Sequence, residues 1–197
     1  YERARRQMTA EANSAVLGAL AAGAETIVLN DSHGSMTNLI PAELHPAAEL
    51  IQGSPKPLSM MQGVEAGFDA VMFVGYHARM HQLGILSHTI SGGTVSNILL
   101  NGQPVGETAI NAALAGYYGI PVVMVTGDSE VAKEAKAALG QVATAVVKTP
   151  VTRYSARSLH PEQACKVIQA TADRKSVVSG NTVDLGGRRI IKKGGGG

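Results

Sequence analysis

Apolar residues recur at three- and four-residue spacing through Met8, Ala12, Ala15, Val16, Ala19 and Leu20, which predicts an amphipathic helix over residues 2–22. Gly23 is its natural stop. The pattern then changes to short β-branched runs. Residues 25–29 predict a buried strand, 49–52 another, and "DAVMFVG" at 69–75 a third, with apolar residues on both faces as in a parallel sheet. Between the first two lies a long polar connection, 30–48, containing Pro41 and Pro46, and long loops of this kind are often functional. Residues 58–66 predict a short helix. A second polar loop spans 76–84. Residues 85–91 and 95–100 predict paired strands, and Asn101-Gly102 marks a tight turn. An Ala-rich helix is expected over 106–118 and a strand at 121–127. A helix over 128–139 follows, with Asp128 or Ser129 as N-cap and Gly140 as stop. A strand at 142–148 and a final helix over 161–172, with Pro161 in its first turn, complete the pattern. Strands alternating with helices imply an α/β fold, a largely parallel sheet flanked by helices, with a small hairpin insertion.

Composition narrows the picture. The hydrophobic fraction of 45% can build a core, but aromatics are only 4%, so that core consists of Ala, Val, Leu, Ile and Met. Residues 1–172 therefore read as a single α/β domain. No apolar run is long enough to cross a bilayer, so no membrane partner is expected. Tyr1 to Arg6 already read as the inside of a helix, and we expect the chain to begin within a longer protein. Cys165 is the single cysteine, which excludes an internal disulfide and fits a reducing, cytoplasmic setting.

The net charge of +2 is misleading. Residues 173–197 carry Arg174, Lys175, Arg188, Arg189, Lys192 and Lys193 against Asp173 and Asp184, so the remainder is slightly acidic. Nothing in the body suggests nucleic-acid binding by charge. The final segment, "DRKSVVSGNTVDLGGRRIIKKGGGG", has no amphipathic period. It reads as an artefactual or disordered basic tail outside the domain.

In open α/β sheets, ligands gather beyond the carboxyl ends of the strands. Three polar segments fall there: Asn30-Asp31-Ser32-His33, Gly75-Tyr76-His77-Ala78-Arg79 and Thr126-Gly127-Asp128-Ser129. His88 is expected on a short strand soon after the second, and Glu107 opens the helix after the Asn-Gly turn. Imidazoles from two strand ends together with a carboxylate suit a zinc-like ion. Other features carry less. His77 and His81 are four apart, but Gly75 and Gly84 around them indicate a loop rather than a zinc-binding helix. His45 and His160 each precede a proline. Asp128 is better explained as a helix cap than as a ligand. "SGGTVSN" lacks the strand–glycine loop–helix setting of a phosphate cradle. Cys165 reads as a core residue. Ser32 and Ser87 neighbour histidines but lack a nucleophile-elbow motif, which disfavours a serine hydrolase.

Taken together, "VLNDSHGSMTNL", "LHPAAELIQGSPKPLSMMQG", "FVGYHAR", "GILSHT", "NGQPVGETAINAALAGYYGIPVVMVTGD" and "AVKTPVTRYSARSL" occur in the order and spacing of one family. The chain resembles the zinc-dependent D-aminopeptidases of the DppA type, peptidase family M55, from residue 1 to about 172. The resemblance implies a metallo-aminopeptidase with two zinc ions per subunit, acting on short peptides and favouring N-terminal D-amino acids. It implies His33, His77 and Glu107 as zinc ligands and His88 as the catalytic histidine. It also implies a homo-oligomer of stacked rings, a decamer, with active sites facing an inner chamber. Family members begin with a strand carrying an Asp-x-Glu-Gly segment whose carboxylates complete the zinc set. This chain starts after that position, so the chain as written is expected to bind zinc poorly and to be inactive.

Two other readings make different predictions. A non-catalytic small-molecule-binding α/β module would be indifferent to chelators and to His77→Ala. An interaction domain would leave His33, His77, His88 and Glu107 far apart, whereas the enzyme reading requires them to converge.

Overall fold

The computed structural model describes residues 1–173. Helix α1 spans Glu2–Ala22, and strand β1, Ile27–Asn30, pairs in parallel with β2, Ala48–Ile51. A four-stranded sheet is built from β3 (Val71–Tyr76), β6 (Val122–Asp128), β7 (Ala143–Thr152) and β8 (Ser155–Ser158). The first three run parallel and β8 closes the edge antiparallel to β7. Strands β4 (Ile98–Leu100) and β5 (Gln103–Val105) form a separate hairpin. Helices α2 (Glu107–Tyr117), α3 (Ser129–Leu139) and α4 (Pro161–Ala172) complete the fold. Among the described residues no helix is long and apolar enough to cross a membrane.

Every residue of β6 is buried, as its unbroken apolar run requires of a strand covered on both faces. One face packs under α2 and α3, where Phe73, Val125, Val131, Ala112, Ala115 and Leu139 form a cluster. The other packs under α1 and α4 through Met124, Ala145, Val147, Ile168, Ala172 and Ala15. Met124 and Ile168 are completely covered, and each contributes about 1.5–3 kcal/mol by leaving water. Two glycines set the approach of elements. A Cβ on Gly18 would collide with the Gln169 carbonyl and Ala172, so glycine lets α1 cross α4 closely. A Cβ on Gly127 would collide with the Tyr76 carbonyl, so glycine lets β6 lie against the end of β3.

Several sequence expectations need correction. The predicted 85–91 strand does not form. Leu86 and Ile90 have φ of 51° and 61°, incompatible with an extended strand. The backbone N–H groups of Ile85 and Ile90 donate to carboxylates of Asp128 and Glu107 instead of to a partner strand. His88 consequently sits in a loop. The hairpin strands are Ile98–Leu100 and Gln103–Val105, joined through Asn101-Gly102, both at positive φ. The helix expected over 58–66 is two short 3-10 turns, Ser59–Met61 and Val64–Ala66, interrupted by Gly63 at φ 101°. The edge strand β8 has no hydrophobic alternation and was not expected; all four of its residues are exposed. Cys165 is half-buried rather than in the core. Of the tail, only Asp173 lies within the described residues.

Candidate metal centre

The loop after β3 is fixed from below by a helix cap. The Asp128 carboxylate caps α3, accepting the N–H groups of Glu130 at 2.9 Å and Val131 at 2.8 Å, and its other oxygen accepts the Ile85 N–H at 2.6 Å. The cap expected from sequence is thus also a strut for the loop that carries His88. Thr89 Oγ1 accepts the Met80 N–H, and Ala78 is wholly buried beneath. Glu134, from α3, accepts the Arg79 N–H at 2.8 Å. Its second oxygen is buried without a hydrogen-bond partner, against Gly106 at the start of α2.

These supports bring three chemistry-bearing side chains together. His77 Nε2 lies 3.6 Å from Glu107 Oε2, and His88 Nε2 lies 3.7 Å from Glu107 Oε1. Ligand atoms of His77, His88 and Glu107 all fall within 4.8 Å of one another. The remaining ring nitrogens are committed. His77 Nδ1 donates to the Ala78 carbonyl at 3.0 Å and His88 Nδ1 to the Leu86 carbonyl at 2.8 Å. With Nδ1 held by a carbonyl, each Nε2 is left facing Glu107, where a neutral ring presents a lone pair that can either ligate a metal or accept a proton. Two imidazole nitrogens and a carboxylate oxygen within this reach could together hold a cation, and the N,N,O set suits zinc. Burial pushes the His77 pKa down, and the neighbouring His88 and His33 add to this, although the Ala78 hydrogen bond and Glu107 pull the other way. His77 is thereby kept neutral and able to ligate.

His33 stands differently. It is exposed on the turn after β1 and lies outside the three-residue group, yet close enough for its charge to act on His77. Its turn is built by Asp31. That buried carboxylate accepts N–H groups from the Asn38 backbone at 2.5 Å, the Asn38 amide at 2.8 Å, the Leu39 backbone at 2.8 Å and the Gln52 amide at 3.3 Å. The Asn38 amide also donates to the His33 carbonyl at 2.6 Å. Burial alone would raise the Asp31 pKa, but these donors outweigh it and hold the carboxyl below its ordinary range. Of the minor histidines, His160 caps α4 and His81 bonds Ser96. A separate cleft of about 540 Å³, lined by Arg3, Gln7, Lys148 and Leu159 among others, contains none of the four candidate residues. Glu134 was missed from sequence: it is one of two acidic positions on α3, with Glu130, and only tertiary structure turns it toward the site.

Imidazole and carboxylate donors gathered beyond the strand ends of a largely parallel sheet give this α/β protein a side-chain group suited to a metal ion. Its family follows from comparison. The sequence model of the M55 peptidases, described as D-aminopeptidase, matches residues 1–183, and the chain belongs to this family. It is 43% identical over 168 residues to the D-aminopeptidase of Bacillus subtilis (strain 168), covering 85% of this chain and 61% of that protein. Its fold is similar, at a TM-score of 0.87 and 40% identity, to the structure described as Zn-dependent D-aminopeptidase DppA from Bacillus subtilis, a self-compartmentalizing protease. That match covers 89% of this chain and 64% of the other. The chain thus spans less than two thirds of the length of these relatives.

Proposed function

We propose that the protein is a zinc-dependent aminopeptidase that removes N-terminal residues, D-amino acids by preference, from short peptides. The observation that carries the reading is the convergence of the His77 and His88 Nε2 lone pairs on Glu107, with both Nδ1–H groups already committed to carbonyls. Family membership and the zinc dependence of the structural relative support it. A non-catalytic small-molecule-binding module has no such support.

In this reading His77 and Glu107 hold zinc, with His33 reaching in from its turn and two ions per subunit. Zinc, when bound, supplies Lewis acidity toward the scissile carbonyl and water that ionises near neutral pH. His88 moves the proton. Its Nδ1–H stays on the Leu86 carbonyl, so Nε2 is free to take a proton from the attacking water and pass it to the departing amine. Glu107 Oε1, 3.7 Å away, stabilises the imidazolium that forms. The side chains of His77 and His88 are 21% and 22% exposed, which leaves substrate a way in, whereas Glu107 at 9% keeps its charge shielded from water. Homo-oligomeric ring assembly, a decamer, and a cytoplasmic location belong to the same proposal. The self-compartmentalizing description of the relative supports the first, and the single cysteine is compatible with the second.

The test is zinc content and turnover of the full gene product. We expect bound zinc, hydrolysis of D-alanyl peptides faster than of their L-counterparts, and loss of activity on chelation that zinc restores. Turnover indifferent to chelators would overturn the reading.

A further inference from the structure

We propose that Arg153 binds the C-terminal carboxylate of the peptide, so that the protein selects very short peptides with a free carboxyl end. This rests on the aminopeptidase reading and adds the substrate's far end to it. Arg153 occupies the turn between β7 and β8, which is held by Thr152 Oγ1, 2.8 Å from Ser155 Oγ and accepting the Tyr154 N–H at 3.2 Å. Leu86 ties this turn to the metal centre. Its N–H donates to the Arg153 carbonyl at 2.9 Å, while its own carbonyl accepts His88 Nδ1 at 2.8 Å. The side chains also approach. A Cβ placed on Gly92 would stand 3.2 Å from His88 Cβ and 3.5 Å from Arg153 Nη2, so little more than the width of one side-chain carbon separates them.

The guanidinium lies over the Tyr154 ring, 5.4 Å from its centroid, but makes no side-chain hydrogen bond among the described residues. Among the described residues Arg153 makes no ion pair, and its Nε is buried without a hydrogen-bond partner. A buried, unpaired N–H on a charged group is unfavourable. The Nη groups likewise donate to no protein acceptor among the described residues, and a carboxylate approaching end-on can accept from both of them in the bidentate geometry arginine favours. A peptide whose N-terminal bond lies at His77, His88 and Glu107 reaches Arg153 within very few residues, since an extended chain spans roughly 3.5 Å per residue. Amidation of the C-terminus removes the charge and one acceptor, and extension moves the carboxylate past the guanidinium.

The experiment uses the zinc-loaded full gene product with D-alanyl-D-alanine and its C-terminal amide. In the wild type, kcat/KM for the acid is expected to exceed that for the amide by roughly 10- to 100-fold, the size of a charge-assisted bidentate contact. In Arg153→Met, which keeps the apolar stem, that ratio should collapse toward one through a rise in KM for the acid. Arg153→Lys should restore part of it. Zinc content and sedimentation are expected to match the wild type. If the wild type does not discriminate acid from amide, if the variant slows both alike, or if zinc or assembly is lost with Arg153, the proposal is overturned. If the wild type hydrolyses neither compound, the aminopeptidase reading fails, and calorimetry with the dipeptide acid then decides Arg153 alone: binding lost in Arg153→Met supports it, equal binding refutes it.

Discussion

The imidazole rings of His77 and His88 stack with centroids 4.1 Å apart and planes 23° from parallel, each presenting Nε2 to the same carboxylate, Glu107. Burial, helped by the neighbouring His88, holds the His77 pKa down and favours its neutral imidazole, the form that binds metal. In the proposed reading the stack sets a ligand and a proton carrier side by side, and mutagenesis can separate the roles.

We predict that His77→Ala and Glu107→Gln reduce zinc affinity by about 100-fold or more, beyond the 10- to 100-fold typical of outer-sphere changes. His88→Ala is predicted to retain zinc while turnover falls roughly 100- to 10,000-fold, the range of a lost general acid–base. Zinc titration with a chromogenic chelator and steady-state kinetics check both. Loss of zinc in His88→Ala would reassign His88 as a ligand.

Asp128→Ala should destabilise the protein by about 2–3 kcal/mol. An N-cap accounts for about 1 kcal/mol and the stranded Ile85 N–H for the remainder. The local effect distinguishes this from generic core damage. Amide exchange over residues 85–90 should accelerate more than exchange in β6, because Asp128 is what fastens that loop to α3. Uniform acceleration would mean the strut role is absent.

The elements with strong periodicity, α1, β3, β6, α3 and α4, were legible within two or three residues because burial enforces their patterns. The loop carrying His88 was not. "GILSHTI" has a strand's composition, and its backbone is diverted by two carboxylates distant in sequence, Asp128 and Glu107, which no local pattern reveals. The site residues became visible as a set only through resemblance. Strand-end position singled out His33 and His77, but spacing could not place His88 against Glu107 while the loop was misassigned. Asp128 was legible as a cap because it acts on the backbone two and three residues on.

The turn bearing His33 depends on Asp31, and we predict that Asp31→Asn costs about 3 kcal/mol. An amide keeps its oxygen for the Asn38 and Leu39 backbone N–H groups but turns its NH2 toward the donating Asn38 side-chain amide, leaving a buried hydrogen-bond deficit. Chemical denaturation of the zinc-free protein measures it. The same substitution should weaken zinc binding if His33 is a ligand, since the Asn38 amide joins the Asp31 carboxylate to the His33 carbonyl. Unchanged affinity in a folded variant would remove His33 from the ligand set.

Glu134, which is not among the proposed ligands, supplies a pH test beside them. Burial raises its pKa above the ordinary 4.5; the Arg79 N–H and guanidinium lower it, and Asp128 and Glu107 raise it further, with a net upward shift. A carboxyl that holds its proton more tightly when folded contributes stability that is fully present below pH 4.5 and is lost as pH climbs through the folded value. Each unit of separation is worth about 1.4 kcal/mol. Glu134→Gln cannot ionise, yet retains an acceptor for the Arg79 N–H. The stability of the variant relative to wild type, measured by urea denaturation of the zinc-free protein, should therefore increase between pH 4 and pH 8. A gap that stays constant or shrinks over that window would mean that Glu134 titrates normally and that its unpartnered oxygen is solvated.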